Sequence, residues 1–576
     1  MLPANRAPSR RDRVYSRDEI EALIADGGHV IILDGRVLKI DAWMQYHPGG
    51  DKAIKHMVGR DATDEVNALH SPIAKIRMRN FIIGRIEGRW TNFTPPIQGG
   101  KFRTQAELDA LKQQQQQDSG CDTDVSEAPS PIFEPADPDA ALRRRRTDTT
   151  YSRTSSATSI SSGEELDTAA AAAAAAEKKK NDEPKMTLLD ARTQEELKQD
   201  SQHYPPLDPA TQDEIVRKYR ALNERIEAEG LYQCHYSSYM IELARYSLFF
   251  TLFLVFLRWG WYATSGLFLG CFWHQLVFTA HDAGHMGITH NFAADTVIGI
   301  IVADFLGGLS LGWWKRNHNV HHIVTNHAEH DPDIQHLPFF AISHRFFSSL
   351  RSTYYDRVLH YDAPARFLIR YQNYLYYPIL CFGRFNLYRL SWEYLLGGQA
   401  PRKGPAWWHR WLELAGQVTF WYWFGYRTVY LSIPTAWARV VFVLVSHVVT
   451  APVHVQITLS HFAMSTADLG ARESFPQKML RTTMDVDCPQ WLDFFHGGLQ
   501  FQAIHHLYPR LPRHNLRKAQ RLVMEFCDDV DIPYGLYGFA DGNRRVIGRL
   551  GDVARQAAIL AACQRSMAES ADLGLH

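Results

Sequence analysis

The stretch WYATSGLFLGCFWHQLVFTAHDAGH, Trp261 to His285, runs from an apolar block straight into a pair of histidines. Trp261 to Ala280 contains no Asp, Glu, Lys or Arg and has the length of one membrane crossing. His281 and His285 follow it four apart, so a helix continuing out of the block sets both imidazoles on one face. An apolar helix that delivers paired histidines at its end fixes how the remainder is read.

The block YSLFFTLFLVFL, Tyr246 to Leu257, lies just upstream and makes a helical hairpin with it. Two more apolar blocks, Trp411 to Ile433 and Ala436 to Ile457, bring the expected number of spans to four. Ala293 to Trp314 is also apolar, but it separates HDAGH from HNVHH (His318 to His322), and a crossing there would put these clusters on opposite faces. Its Gly299, Gly307, Gly308 and Gly312 suit a re-entrant or interfacial segment. Tyr371 to Leu396 carries Arg384 and Arg389, each costing roughly 2.5 to 3.5 kcal/mol at a bilayer centre, and is expected in the interface. With four spans, the N-terminal region, all the histidine clusters and the C-terminal tail fall on one side. The Arg-rich flank from Arg510 to Arg521 makes that side cytosolic.

Residues 15–90 read as a small α+β module after a short tail, 1–14. A polar helix precedes VIILDGRVLKI, where Asp34-Gly35 is a hairpin signal, and Asp41 is expected to cap the helix that follows. His47 opens HPGG, whose glycines allow a flat ligand to approach the backbone, and His70 ends GRDATDEVNALH. The run HPGGDKAIKHMVGRDATDEV with its later His70-Ser71 resembles the cytochrome b5 haem-binding domain. That resemblance implies haem b held by His47 and His70. Iron ligated by two histidines has no vacant position, so the module carries electrons and does not activate oxygen. Asp51, Asp61, Asp64 and Glu65 are expected to steer a basic reductase.

Residues 91–207 collapse into low complexity: a Gln run, Arg143 to Arg146 beside serines and threonines, Ala169 to Ala176, and Lys178 to Lys180. They read as a disordered linker, with a candidate kinase target at the arginine run. About 115 flexible residues span roughly 60 Å, enough for the tethered module to search the cytosolic face.

HDAGH gives His281 and His285; HNVHH gives His318, His321 and His322; LQFQAIHH, Leu499 to His506, gives His505 and His506, with Gln502 where the other clusters open on histidine. Seven imidazoles on one face exceed one metal ion and suit two. Nitrogen ligands accept zinc, copper or iron, but zinc has no redox chemistry and a fused electron carrier would have nothing to deliver to it, so iron is expected. His274, His290, His327, His330, His336, His454 and His496 are read mostly as neighbours or surface residues.

HDAGH, HNVHH and QAIHH, in that order with apolar hairpins between, resemble the three histidine boxes of membrane di-iron desaturases. A glutamine opening the third box and a cytochrome b5 module at the N-terminus mark the front-end branch. DCPQWLDFFHGGLQFQAIHHLYPRLPRHNLR, Asp487 to Arg517, is similar to the fungal sphingolipid Δ8-desaturases; Ala503 and Ile504 depart from the QIEHH of fatty-acyl enzymes. The resemblance implies two iron ions at His281, His285, His318, His321, His322, His505 and His506, Gln502 at the third-box position, and a further ligand from the last span, His461. It implies O2 as co-substrate, electrons from NADH through NADH–cytochrome b5 reductase, and a ceramide or sphingoid-base lipid in the endoplasmic reticulum membrane. The resulting layout is a haem module, a linker, an all-α membrane desaturase over 208–545 with four transmembrane helices and a cytosolic di-metal histidine cap, and a helical tail over 546–576.

Balanced charge, 62 Lys plus Arg against 62 Asp plus Glu, gives no electrostatic footprint for nucleic acid. Seven scattered cysteines without CxxC fit a reducing compartment, and the N-terminus lacks a secretory h-region. The alternatives are a Δ5 or Δ6 fatty-acyl desaturase, a di-iron lipid hydroxylase, and a catalytically dead membrane-anchored electron carrier.

Overall fold

The computed structural model describes residues 10–102, 133–134 and 187–573. The arginine run with its kinase target, the alanine run and the lysine run lie outside them.

In the haem module, Val30–Leu33 and Arg36–Lys39 pair antiparallel around Asp34 and Gly35, and Ile82–Arg85 joins the second strand. The hairpin signal works because both turn residues take positive φ, 49° and 69°. The first helix, Arg17–Ala25, starts at a Ser16–Glu19 capping box. Asp41 is not the cap expected of it. It is the first helical residue of Asp41–Met44, after Ile40, and its carboxylate instead accepts from the backbone N–H of His29 at 3.0 Å and meets that residue's Nδ1 at 2.7 Å.

The linker is shorter than expected at both ends. Phe93 is fully buried with Ile20, Val30 and Val37, and Trp90 donates to the Gly59 carbonyl at 3.1 Å, so the module continues past residue 90. At the other end Leu188–His203 is a helix with a Thr187–Asp190 capping box. Few apolar residues mark it because ion pairs hold it: Asp200 meets the buried Arg481 at 2.8 Å and Glu196 meets Arg549 at 3.2 Å. The expected tail at 546 is no boundary either. Its helix begins at Phe539 and buries Val546, Leu550 and Val553 in the main core.

Tyr236–Arg258 and Tyr262–Gly284 form the anticipated hairpin, with Phe253, Leu269, Phe272 and Trp273 in their shared core. Among the described residues two helices, Tyr236–Arg258 and Ala436–Phe462, are each long and apolar enough to cross a membrane. Phe292–Leu306 and Leu311–Val324 would qualify jointly but bend by 117° between them, so the apolar run does not continue straight. Gly308 makes the bend with φ +70°, and a side chain there would strike Phe420. Arg384, in the segment expected in the interface, turns into the protein. It is 3 % exposed, donates to the Tyr388 hydroxyl at 2.9 Å and to the Gly307 carbonyl, and lies 4.2 Å over Trp273. A guanidinium thus satisfies a carbonyl freed by the bend, while Arg389 stays outside and pairs with Glu393.

The haem module is docked. Its Ile31, Leu38, Ala53, Met57 and Val66 share one apolar cluster with Val320, Ile323 and Val324 of the Leu311–Val324 helix. Around this patch Lys52 meets Asp356 at 2.5 Å and Arg220 meets Asp64 at 2.8 Å. The acids expected to steer a reductase are therefore engaged internally: Asp51 pairs with Lys55 and Arg316, Asp64 with Arg220, Asp61 accepts from Thr63, and Glu65 is 8 % exposed.

A buried ionic knot ties the first span to the histidine-bearing ends. Arg513 contacts both Glu242 and Asp282, Tyr239 donates to Asp282 at 2.5 Å, and His514 meets Glu242 at 2.7 Å. Arg513→Leu leaves two carboxylates buried without their cation, a loss of about 3 to 5 kcal/mol. A lowered melting temperature of the detergent-purified protein is expected, partly restored by adding Glu242→Gln and Asp282→Asn. An unchanged melting temperature would show the knot to be energetically idle.

Candidate functional site

The three clusters converge. His281 and His285 close the Tyr262–Gly284 helix; His318, His321 and His322 lie on Leu311–Val324; His505 and His506 lie on the short helix Gln502–Leu507. The donor atoms of His281, His285, His318 and His505 all lie within 4.8 Å of one another, and so do those of His321, His461 and His506. His322 sits between the two gatherings. Its Nε2 is 3.1 Å from Nε2 of both His318 and His505, and its ring stacks on His506 at 4.2 Å. Each gathering mixes the clusters, so no cluster forms a site alone.

The donor set fits metal cations. Nε2 of His285 and His506 and Nδ1 of His322 and His461 are buried without a hydrogen-bond partner, a costly state unless a cation takes the lone pairs. Burial pushes His318 down to about 4 and holds His322, His505 and His506 well below the ordinary histidine range. Held so low, they favour the neutral form that ligates. His321 differs, because burial would lower it but Asp331 and Asp333 outweigh burial and raise it. Asp331, fully buried, accepts from His321 Nδ1 at 2.8 Å and leaves Nε2 to face its neighbours. Asp333 lies 3.4 Å from His318 Nδ1 and accepts from Asn317.

Carboxylates also position the histidine-bearing elements. Glu413 accepts from Ser310 and the Gly312 backbone, and Asp304 from Leu311 N at 3.3 Å, all at the start of the second-cluster helix. Asp485, fully buried, accepts from Ala503 N at 2.8 Å and from Tyr534, fixing the third-cluster helix. Trp314 stacks on His318 at 4.5 Å and meets His281 and His285 edge-on at 5.2 Å. A Cβ at Gly284 would fall 2.0 Å from that indole, so the glycine of HDAGH makes room for it.

Gln502 is 4 % exposed and precedes His505 by three residues and His506 by four, on their side of the helix. The other histidines stand outside both gatherings, and several are buried. His274 stacks on Phe495, His330 on His327, and His496 meets Gln456 at 3.2 Å. Asp282, Asp331, Asp333, Asp485 and Arg513 were not singled out from sequence. HDPDIQH, residues 330–336, beginning eight residues after the second cluster, carried the available signal for two of them.

In the haem module the rings of His47 and His70 face each other with centroids 5.9 Å apart. His47 Nδ1–H donates to the Gly50 carbonyl at 2.8 Å, which leaves Nε2 as the free lone pair. Gly50 has φ +83°, and the positive φ brings its carbonyl round to that ring. His70 Nδ1 is buried without a partner, and burial together with His47 pushes this imidazole down to about 3. Two neutral, facing imidazoles suit one iron between them.

Residues 257–538 match the family described as Fatty acid desaturase, and residues 16–87 match the Cytochrome b5-like Heme/Steroid binding domain. A Delta 8-(E)-sphingolipid desaturase of Emericella nidulans is 62 % identical over 570 residues, 99 % of this chain and 100 % of that one. One from Kluyveromyces lactis is 49 % identical over 559 residues, 97 % and 96 % of the two chains. Delta(8)-fatty-acid desaturase 2 of Arabidopsis thaliana is 37 % identical over 350 residues, 60 % of this chain and 76 % of its own. The chain belongs to the fatty acid desaturase family, as a member fused to a cytochrome b5-like domain.

If Asp331 orients His321 for metal, Asp331→Asn lowers iron affinity by about 10- to 100-fold. Iron per protein after dialysis against a weak chelator measures it, with His274→Ala as the control that keeps its iron. Equal iron in the Asp331 variant and the parent would remove this role.

Proposed function

We propose that this protein is an oxygen-dependent desaturase that introduces a trans Δ8 double bond into the long-chain base of ceramide or a related sphingolipid. The carrying observation is the pair of interleaved imidazole gatherings beneath a docked haem module, in a chain similar along almost its whole length to Delta 8-(E)-sphingolipid desaturases. His281, His285, His318 and His505 would hold one iron ion and His321, His461 and His506 the other, with His322 shared and Gln502 at the rim. Two iron ions bound there supply the activation of O2 for removing hydrogen from an unactivated methylene.

The chain's own residues perform the remaining tasks. Asp331 and Asp333 fix the tautomers of His321 and His318. Trp314 walls the first gathering and excludes water from it. His47 and His70 would clamp haem b, and the module's contact with the Leu311–Val324 helix brings it against the element that carries His318, His321 and His322. NADH–cytochrome b5 reductase is the external electron source. The proposed topology has four spans, Tyr236–Arg258, Tyr262–Gly284, the helical run from His409 to Ser432, and Ala436–Phe462; the first and last are long and apolar enough by themselves. The bent segment stays on the cytosolic side of the endoplasmic reticulum membrane, with both modules and all metal ligands.

Mass spectrometry of sphingoid bases from a host lacking this activity tests the reading. A new Δ8-unsaturated base is expected with the protein, and none with His505→Ala, whose haem Soret band stays intact. His47→Ala abolishes the product unless a separate cytochrome b5 is supplied. A new polyunsaturated acyl chain with unchanged bases would establish the fatty-acyl alternative instead, and a hydroxylated base the hydroxylase.

A further inference from the structure

Among the described residues, Lys315 and Arg510 are cations without a carboxylate partner. Lys315, partly buried, only lies 5.2 Å over Phe292; Arg510, 8 % exposed, donates to the His70 carbonyl at 3.0 Å and keeps its Nε buried without an acceptor. Buried charge is normally paired, because desolvating it costs several kcal/mol. Among the described residues neither cation has a carboxylate within ion-pair distance, although Asp295 acts on both from further away.

Each stands beside one of the two facing histidines: Arg510 holds the His70 carbonyl, and Lys315 borders a small cavity with Pro48, the neighbour of His47. A larger cavity of about 520 Å³ opens at His47 and Gly50 along the same seam, walled on the far side by Arg316, Gln399 and Arg402. Haem brings two carboxylates to the edge of its ring, and charge-assisted bonds to lysine and arginine are the strong way to hold them.

We propose that Lys315 and Arg510, both from the desaturase module, bind the two haem carboxylates, so that the haem seat is completed across the seam between modules. The proposal rests on the reading of His47 and His70 as haem ligands. Lys315 lies on the helix that carries His318, three residues before it, and Arg510 lies in the turn that follows the helix of His505 and His506.

The full chain in detergent is reconstituted with haem or with haem dimethyl ester, whose carboxylates are neutralised, and haem transfer to apomyoglobin is timed. Lys315→Met and Arg510→Met are expected to keep the low-spin Soret band, lose haem about tenfold faster, equivalent to about 1.4 kcal/mol, and have a lower midpoint potential because a cation is gone. Arg510→Lys keeps the parental rate. With the ester, parent and variants release the cofactor equally fast. Parental behaviour of both Met variants with natural haem would overturn the proposal. So would equal acceleration by the variants for haem and ester, which would assign the two cations to module docking or to an anionic lipid. His47→Ala with an undiminished Soret band would instead overturn the ligand reading itself.

Discussion

Eight imidazoles packed against one another at the end of a helical bundle are the constraint on which the rest of the structure depends. Neutral rings with lone pairs aimed at a common space are poor packing partners and cannot hold themselves in place. Every element that carries them is therefore anchored elsewhere, by a buried acid or by the membrane hairpin. Asp282 with Arg513 fixes the first cluster, Glu413 and Asp304 seat the second, and Asp485 fixes the third. Gathering cations into such a space is favourable only because the surroundings are rigid before the cations arrive.

The same acids explain why the boxes had to be interleaved. His318 and His321 lie one turn apart; His318 joins His281, His285 and His505, His321 joins His461 and His506, and the two meet again at Asp333, while His322 leans between them. A helix offers one direction every three or four residues, so a single cluster can serve two neighbouring centres but cannot surround either. The third helix, six residues long, divides His505 and His506 in the same way.

The gathered histidines, the apolar helices near them and the His47 loop were legible in the sequence, because histidine spacing and unbroken apolar runs are local signals. Requiring His281 and His318 on one face kept Ala293 to Trp314 from being read as a crossing, and the corresponding helices bend by 117°. What escaped were residues whose role comes from distant partners. Asp485 and Asp331 look like ordinary loop acids until folding buries them. Leu188–His203 looks like linker because ion pairs with Arg481 and Arg549, far along the chain, supply its anchoring. Arg510 and Arg513 read as a cytosolic flank, yet they turn inward, one to a haem ligand's carbonyl and the other to two carboxylates. Charge counted along a chain does not say which charges reach water.

The apolar seam formed by Val320, Ile323 and Val324 with the haem module has one more consequence. A conductor that crosses open solvent leaks, since any dissolved oxidant can intercept its charge. Here the junction is sheathed: hydrocarbon fills the contact, and ion pairs such as Lys52–Asp356 and Arg220–Asp64 stand at its margin. The seam works as insulation as well as adhesive, and it confines traffic between the two redox modules to the protein interior.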